Sequence, residues 1–177
     1  IIAGLREASY DIRRGLGFTK SPEVYGAFPT DPYSHTPRHL GAQQPGMTGQ
    51  VKEEILTRRA ELGVRVERGE LVFAPSLLRR AEFSAAPVAF SYLDIAGARQ
   101  TWQMPAHSLA FTCCQVPVSY ELARDFSITI ETRGGAMRTV SGQRLGAADS
   151  HAIFSRTGEI VRLRVTIPAA ALAGATD

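Results

Sequence analysis

The sequence predicts a mainly β fold, an antiparallel β-sandwich preceded by a short arm of two helices. Segments that alternate apolar and polar residues begin at Val64 and recur to Ile167, and this two-residue period is typical of strands. Glycine-containing turns separate the segments, and we expect no helix between them. Before Val64 the apolar residues have the three- and four-residue spacing of helices. We therefore predict a helical arm over residues 1–63 and a sandwich over residues 64–177.

The arm opens with a helical pattern at the first residues. Ile2, Leu5, Ile12 and Leu16 recur at spacings that place them on one helix face. Because this pattern begins without a capping residue, we expect that residues preceding it in a parent protein are missing here. The absence of a targeting signal therefore leaves the localisation of the parent protein open.

A second helix is predicted from Thr48 to Leu62. Thr48 supplies the hydroxyl that is favoured at an N-cap, and Gly63 is a stop signal. Two helices cannot bury their own apolar faces, so we expect the arm to dock on the sandwich or on helices upstream. The apolar stripe of the second helix would consist of Val51, Ile55, Leu56 and Leu62.

Eight to ten strands are predicted after Gly63. Their segments are 64–68, 70–74, 87–95, 99–104, 108–111, 116–120, 126–132, 137–143 and 160–167. Strands separated by turns and joined as hairpins favour an antiparallel sandwich. The residues expected to point inward are Val66, Val72, Phe90, Leu93, Phe111, Ile128, Ile130, Val161, Leu163 and Val165.

Composition argues against several classes of protein. The net charge is +3, but the basic residues are scattered singly or in isolated pairs such as Arg13-Arg14, so nucleic acid is not an expected partner. No stretch approaches 18 apolar residues, so no membrane association is expected. Cys113 and Cys114 are adjacent, which excludes a disulfide framework. No cofactor is expected.

The polar loop, defined here as residues 25–48, is the most informative segment. Four prolines at positions 29, 32, 37 and 45 stiffen it, and its rings and hydrogen-bonding groups are typical of a site built on a scaffold. We interpret it as one wall of a pocket for a polar small molecule. The candidate substrate-binding residues are Tyr25, Asp31, Tyr33, His35, Gln44 and Thr48.

Structural interpretations of the same residues stay open. Asp31 precedes Pro32 and can organise an Asx turn, and the loop tyrosines can pack on the second helix. His35 and His39 are four residues apart, but Pro37 between them removes the helical geometry that a metal site would use. No metal site is therefore predicted.

Three segments carry a resemblance to a known family. They are residues 25–37 (YGAFPTDPYSHTP), 44–54 (QPGMTGQVKEE) and 69–78 (GELVFAPSLL). The chain resembles the C-terminal part of cellobiose-phosphorylase-like and related glycoside hydrolase proteins, in which a helical α/α toroid precedes a jelly-roll-like cap. The resemblance implies that the arm is the end of a truncated toroid, with carbohydrate and an upstream helical domain as partners.

The same resemblance implies that the catalytic residues lie upstream. Glycoside cleavage commonly uses two flanking carboxyl groups, and the polar loop alone does not assemble such a pair, so we expect the 177-residue chain to be inactive by itself. The loop departs from that of the phosphorylases, which argues against phosphate as a co-substrate, and the choice between hydrolysis and phosphorolysis stays open. The catalytic residues are unknown.

Two other functions remain open beside a carbohydrate-active enzyme. The chain can instead be a non-catalytic sandwich that binds glycans or proteins. Exposure of Phe90, Tyr92 and Trp102 on a sheet face would favour this function, although alternating patterns usually place such rings in the core. It can also be a structural cap on a helical domain.

The first testable prediction concerns the polar loop. In the full-length protein, Asp31→Ala or His35→Ala should lower turnover with little change in melting temperature, because both side chains would contact substrate. If they instead form loop hydrogen bonds, each change should cost about 1 kcal/mol or more in stability. Turnover and melting temperature of both variants would be measured. A large fall in melting temperature at unchanged specific activity would contradict the prediction.

Overall fold

A computed structural model describes Gly4 and residues 48–172, with side chains from Ile55 onward. Apart from Gly4, the first predicted helix lies outside these residues, as do residues 25–47 of the polar loop. The chain divides into two compact units, Ile1–Arg59 and Ala60–Asp177. All strands described below belong to the second unit.

Helix α1 spans Thr48–Glu61, which confirms the second predicted helix. Two residues of its predicted apolar stripe, Ile55 and Leu56, are each 61% exposed. The helix ends where predicted, because Gly63 has a φ of +67° and its amide donates a 3.0 Å hydrogen bond to the carbonyl of Ala60. A side chain at 63 would overlap the backbone of Ala74, so glycine is needed there for space as well as for conformation.

The described residues contain nine strands in three sheets, which confirms a mainly β fold. Strands β1 and β2 form one antiparallel hairpin, β3 and β4 form a second, and the remaining five form one sheet in the order β5-β6-β9-β7-β8. The strands are β1 (Val64–Glu67), β2 (Glu70–Phe73), β3 (Val88–Leu93), β4 (Arg99–Met104), β5 (Ser108–Cys113), β6 (Val116–Ala123), β7 (Ser127–Thr132), β8 (Met137–Ser141) and β9 (Ile160–Pro168).

The five-stranded sheet departs from the predicted sandwich in two ways. Helix α2 (Ala147–Phe154) lies between β8 and β9, so the expectation that no helix would interrupt the strands was wrong. All strand pairs are antiparallel except β6 and β9, which run parallel. Strands β8 and β9 are both antiparallel to β7 and therefore run in the same direction, so the segment that contains α2 must return the chain to the end of the sheet where β9 begins.

The two faces of the five-stranded sheet differ in polarity. One face carries fully buried apolar residues from its central strands, among them Val118, Ile130 and Leu163. The alternate positions of β9 carry arginines, of which Arg162 pairs with Glu131 and Arg164 with Glu121. The alternation that predicted the strands therefore also separates the core from a charged face.

The β3–β4 hairpin covers part of the charged face. Trp102, 6% exposed, lies with its ring centroid 4.5 Å from the guanidinium carbon of Arg162. Leu93, which was expected to point inward, is 55% exposed, because the register of β3 places it on the face opposite to Trp102. Val66, also expected inward, is 46% exposed at the end of the β1–β2 hairpin. Both predictions were therefore wrong.

Tyr120 of β6 lies at the centre of the core. Its side chain is fully buried and its hydroxyl donates a 2.5 Å hydrogen bond to the carbonyl of Leu62, one residue after α1. Its ring makes edge contacts with Phe73 and Phe111, at centroid distances of 6.2 and 5.0 Å. Burial raises the pKa of this phenol well above its usual value, so the hydroxyl stays protonated and able to donate.

A buried serine fixes helix α2 to the β1–β2 hairpin. Ser150 accepts a 2.9 Å hydrogen bond from the amide of Leu71, and its hydroxyl donates a 3.0 Å bond to the carbonyl of Leu145. The amide of Leu145 in turn donates to the carbonyl of Leu71. These bonds satisfy backbone groups of β2 that would otherwise be buried without partners.

The second prediction concerns Tyr120. Tyr120→Phe should lower the free energy of unfolding by about 1–3 kcal/mol, because it leaves the carbonyl of Leu62 without its donor. The control Tyr92→Phe removes a hydroxyl that has no hydrogen bond among the described residues, and should change stability by less than about 0.5 kcal/mol. Urea unfolding of the three proteins would measure this. Equal stabilities for the two variants would contradict the prediction.

The same variant should also change the pH dependence of stability. The phenol has a raised pKa only when folded, so its contribution is complete below the unfolded pKa of about 10 and is lost as the pH rises above it. The wild-type chain should therefore lose stability above about pH 10 more steeply than Tyr120→Phe.

Candidate functional site

The sequence-predicted site falls largely outside the described residues. Tyr25, Asp31, Tyr33, His35 and Gln44 precede the described region, and Thr48 stands at the first residue of α1, where only the backbone is described. The positions of these six side chains are not described, so their role in binding substrate remains a prediction.

A different site lies in the second unit, where four chain turns meet at one end of the five-stranded sheet. It is a cleft of about 400 Å³, which is within the range of small-molecule sites. We call it the turn cleft. The polar side chains that line it are Tyr92, Asp94, Gln100, Gln115 and Arg133.

The floor of the turn cleft is apolar and anchored in the core. Val116 and Ile160, 2% and 5% exposed, line the cleft and also belong to the buried core. At this end of β9 the pairing register with β7 shifts, so that Glu131 lies opposite Arg162 but Thr132 lies opposite Ile160. The extra residue, Val161, also lines the cleft. Such bulges are frequent next to functional sites, because they redirect side chains.

Asp94 organises the turn between β3 and β4. Its Oδ1 accepts hydrogen bonds from the amides of Ala96 and Ala98, both 2.9 Å long, and its Oδ2 accepts a 2.8 Å bond from Nε2 of Gln100. The bond from Gln100, followed by those from the backbone, lowers the pKa of Asp94 below its usual value. The carboxylate is therefore ionised at neutral pH and holds Gln100 in place at the cleft.

Gln115 links this turn to the next hairpin. Its Nε2 donates a 3.2 Å hydrogen bond to the backbone carbonyl of Asp94. Gln115 and Cys114 form the two-residue turn between β5 and β6, with φ values of 67° and 49°. Residues other than glycine rarely adopt such angles, at a cost of about 1–3 kcal/mol each, so the turn is held by its surroundings.

Arg133 stands on another part of the cleft rim. Its Nε donates a 3.1 Å hydrogen bond to the carbonyl of Gly158, and its backbone amide donates a 2.8 Å bond to the carbonyl of Glu159. Gly158 has a φ of +75°, and a Cβ at this position would overlap Nη2 of Arg133. Glycine thus provides the space in which the guanidinium lies.

Tyr92 supplies an aromatic wall. Its ring stacks on Phe90, with centroids 5.7 Å apart and ring planes 17° from parallel. Phe90 and Tyr92 alternate with exposed Ser91 and Leu93, so both rings lie on the face of β3 that also carries Trp102 through its partner strand. A stacked ring is a rigid platform for the apolar face of a ligand.

This arrangement is suited to binding and orienting a ligand. It combines an apolar floor, an aromatic wall, two amide side chains, one cation and one carboxylate. The single carboxylate, Asp94, is engaged with three donors, whereas glycoside cleavage uses a pair of carboxyl groups. Among residues 48–172, no group of three or more His, Cys, Asp or Glu residues is placed to hold a metal ion.

Sequence reasoning found only a small part of this site. Tyr92 was named as an aromatic candidate for glycan binding, but Asp94, Gln100, Gln115 and Arg133 were missed. The role of Asp94 could have been predicted, because an Asp three residues before a turn glycine is typical of an Asx turn. No sequence pattern marks Gln115 or Arg133 as a site residue, since only the pairing of distant strands brings their turns together.

Comparison with known proteins leaves the family open. No protein-family model matches the chain, and no curated protein matches it. No helix among the described residues is long and apolar enough to cross a membrane.

The third prediction tests the support of Arg133. Gly158→Ala and Gly135→Ala both place a side chain at a positive φ, so each should cost about 1–2 kcal/mol. Only the change at 158 meets Arg133, because the space around Gly135 is open. Gly158→Ala alone should therefore break the bond from Nε of Arg133, which nuclear magnetic resonance detects through the Nε–H signal. An unchanged signal in that variant would be incompatible with the geometry described.

Proposed function

We propose that this chain is the C-terminal part of a carbohydrate-active enzyme, either a glycoside hydrolase or a phosphorylase-like protein. The proposal rests on the resemblance of residues 25–37, 44–54 and 69–78 to cellobiose-phosphorylase-like proteins. In this proposal catalysis belongs to an upstream helical domain, and the polar loop contributes Tyr25, Asp31 and the other candidate residues to its sugar pocket. The β-rich unit takes the place of the jelly-roll-like cap.

The exposed side of α1 supports an upstream helical partner. Ile55 and Leu56 are each 61% exposed, and two adjacent large aliphatic side chains on a helix are unfavourable in water. A neighbouring helix of a toroid would cover them. The same observation also favours the second candidate function, a structural cap that seals the end of a helical domain.

The turn cleft supports a direct role in saccharide binding, and it is the observation that carries the proposal for the β-rich unit. Sugars present apolar C–H faces together with neighbouring hydroxyl groups. Tyr92 offers a stacked ring for such a face, and the amides of Gln100 and Gln115 offer donors and acceptors for hydroxyls. We therefore propose that the β-rich unit binds a saccharide without cleaving it.

The fourth prediction compares two glutamines on the same strand. Gln100 lines the cleft, whereas Gln103 is exposed on the opposite face of β4. Calorimetry with the 177-residue chain would test cellobiose, xylobiose, maltose and digalacturonate. At least one should bind, and Gln100→Ala should weaken it about three- to tenfold through a lost hydrogen bond. Gln103→Ala should bind as the wild type does.

Two outcomes would count against this function. Equal weakening by Gln100→Ala and Gln103→Ala would place the saccharide outside the cleft. If a folded chain binds none of the four sugars, the saccharide-binding role is wrong and the structural cap becomes the better explanation.

A further inference from the structure

Among the residues that the structure describes, the guanidinium of Arg133 in the turn cleft has no carboxylate partner. Among residues 48–172, the arginines of the sheet and its neighbours include several in ion pairs: Arg138 with Asp149, Arg144 with Glu67 and Glu70, Arg162 with Glu131, and Arg164 with Glu121. Arg133 has no ion pair in this part of the chain. Its Nε is bound to a neutral carbonyl, and both Nη groups remain for a ligand.

The position of Arg133 is fixed by groups other than a ligand. The Nε bond to Gly158, the amide bond to Glu159 and the absence of a side chain at 158 together restrict the guanidinium to the cleft rim. A guanidinium whose Nε is already bound presents its Nη groups with little further loss of rotamer freedom. Planar donors of this kind match a carboxylate, with which they form two parallel hydrogen bonds.

The acidic residue of the cleft belongs to a separate group of hydrogen bonds. Asp94 is bound to residues 96–100 of its own turn and, through its carbonyl, to Gln115. It forms no ion pair with Arg133 among the described residues. The cleft therefore has a cationic part at Arg133 and a part rich in carbonyl, amide and carboxylate acceptors at the β3–β4 turn.

We propose that the turn cleft selects an acidic saccharide, a sugar that carries a carboxylate, and that Arg133 is the residue that determines this specificity. This inference rests on the saccharide binding proposed above. The carboxylate of the sugar pairs with the guanidinium of Arg133, while its hydroxyls donate to acceptors near Asp94 and Gln115. The two unlike parts of the cleft thus fix the orientation of the sugar.

The experiment compares an anionic sugar with its uncharged methyl ester. Digalacturonate and its methyl ester have the same ring skeleton and hydroxyls, but only the first is anionic. Calorimetry with the 177-residue chain should show digalacturonate binding about tenfold more tightly, because a bidentate charged pair is formed. This advantage should shrink as salt is added, since the site is partly open to solvent.

Three variants separate the specific contact from net charge. Arg133→Gln should abolish the preference for digalacturonate over the ester, and measurable ester binding also shows that the variant is folded. Arg124→Gln removes the same charge from an exposed position outside the cleft and should keep the preference. Arg133→Lys should retain part of it, because the charge remains but the planar fork does not.

The results distinguish failure of the inference from failure of the proposed function. Equal affinity for the two ligands in the wild type, or a preference that survives Arg133→Gln, would overturn the role of Arg133 while saccharide binding stands. If neither ligand binds, but a neutral disaccharide does, selection of acidic sugars is wrong. If no saccharide binds to the folded chain, both proposals fail together.

Discussion

The hydrogen bond from the Tyr120 hydroxyl to the carbonyl of Leu62 is the constraint on which the β-rich unit depends. It joins the central part of the five-stranded sheet to the turn that follows α1, across 58 positions of sequence. A carbonyl just beyond a helix has lost its helical donor, and burying it unpaired would be costly. The tyrosine supplies that donor while its ring fills the space between Phe73 and Phe111. One side chain thus both provides the hydrogen-bond donor for a buried carbonyl and packs in the apolar core.

The turn cleft is rigid because its floor is part of this core. Its floor residues Val116 and Ile160 are core residues as well, so the strands that end at the cleft cannot shift without disturbing buried packing. The turns above the floor are then held by hydrogen bonds between distant residues: Gln115 to Asp94, and Arg133 to Gly158. Functional groups on short turns over a rigid floor lose little entropy when they bind a ligand. This is the physical reason to regard the cleft, with its left-handed Cys114 and Gln115, as a binding site.

The elements that could be predicted from sequence are those that neighbouring residues determine, and those that could not depend on distant residues. Each strand was predictable, because alternation of residues such as Ile128, Thr129 and Ile130 is a property of a few neighbours. The end of α1 was predictable from Gly63 for the same reason. Helix α2 was not, since its eight residues give little more than two turns of periodicity and the polar Ser150, which is buried, is of a type usually found at the surface. The reason for a buried serine at this position is its hydrogen bond with the amide of Leu71, 79 positions away. The cleft was harder still to predict, because Arg133 and Asp94 line it together only when the β3–β4 hairpin lies against the five-stranded sheet.

That strand order has a consequence for how the chain acquires its structure during synthesis. The hairpins β5–β6 and β7–β8 form from neighbouring residues, but in the finished sheet they are joined only through β9, which pairs with β6 on one side and β7 on the other. As β9 is the last strand along the described chain, both hairpins leave the ribosome with an open edge. Until Ile160–Pro168 inserts between them, these edges can pair with strands of other chains. A pause in synthesis before residue 160 would thus prolong the period in which these edges are open to other chains.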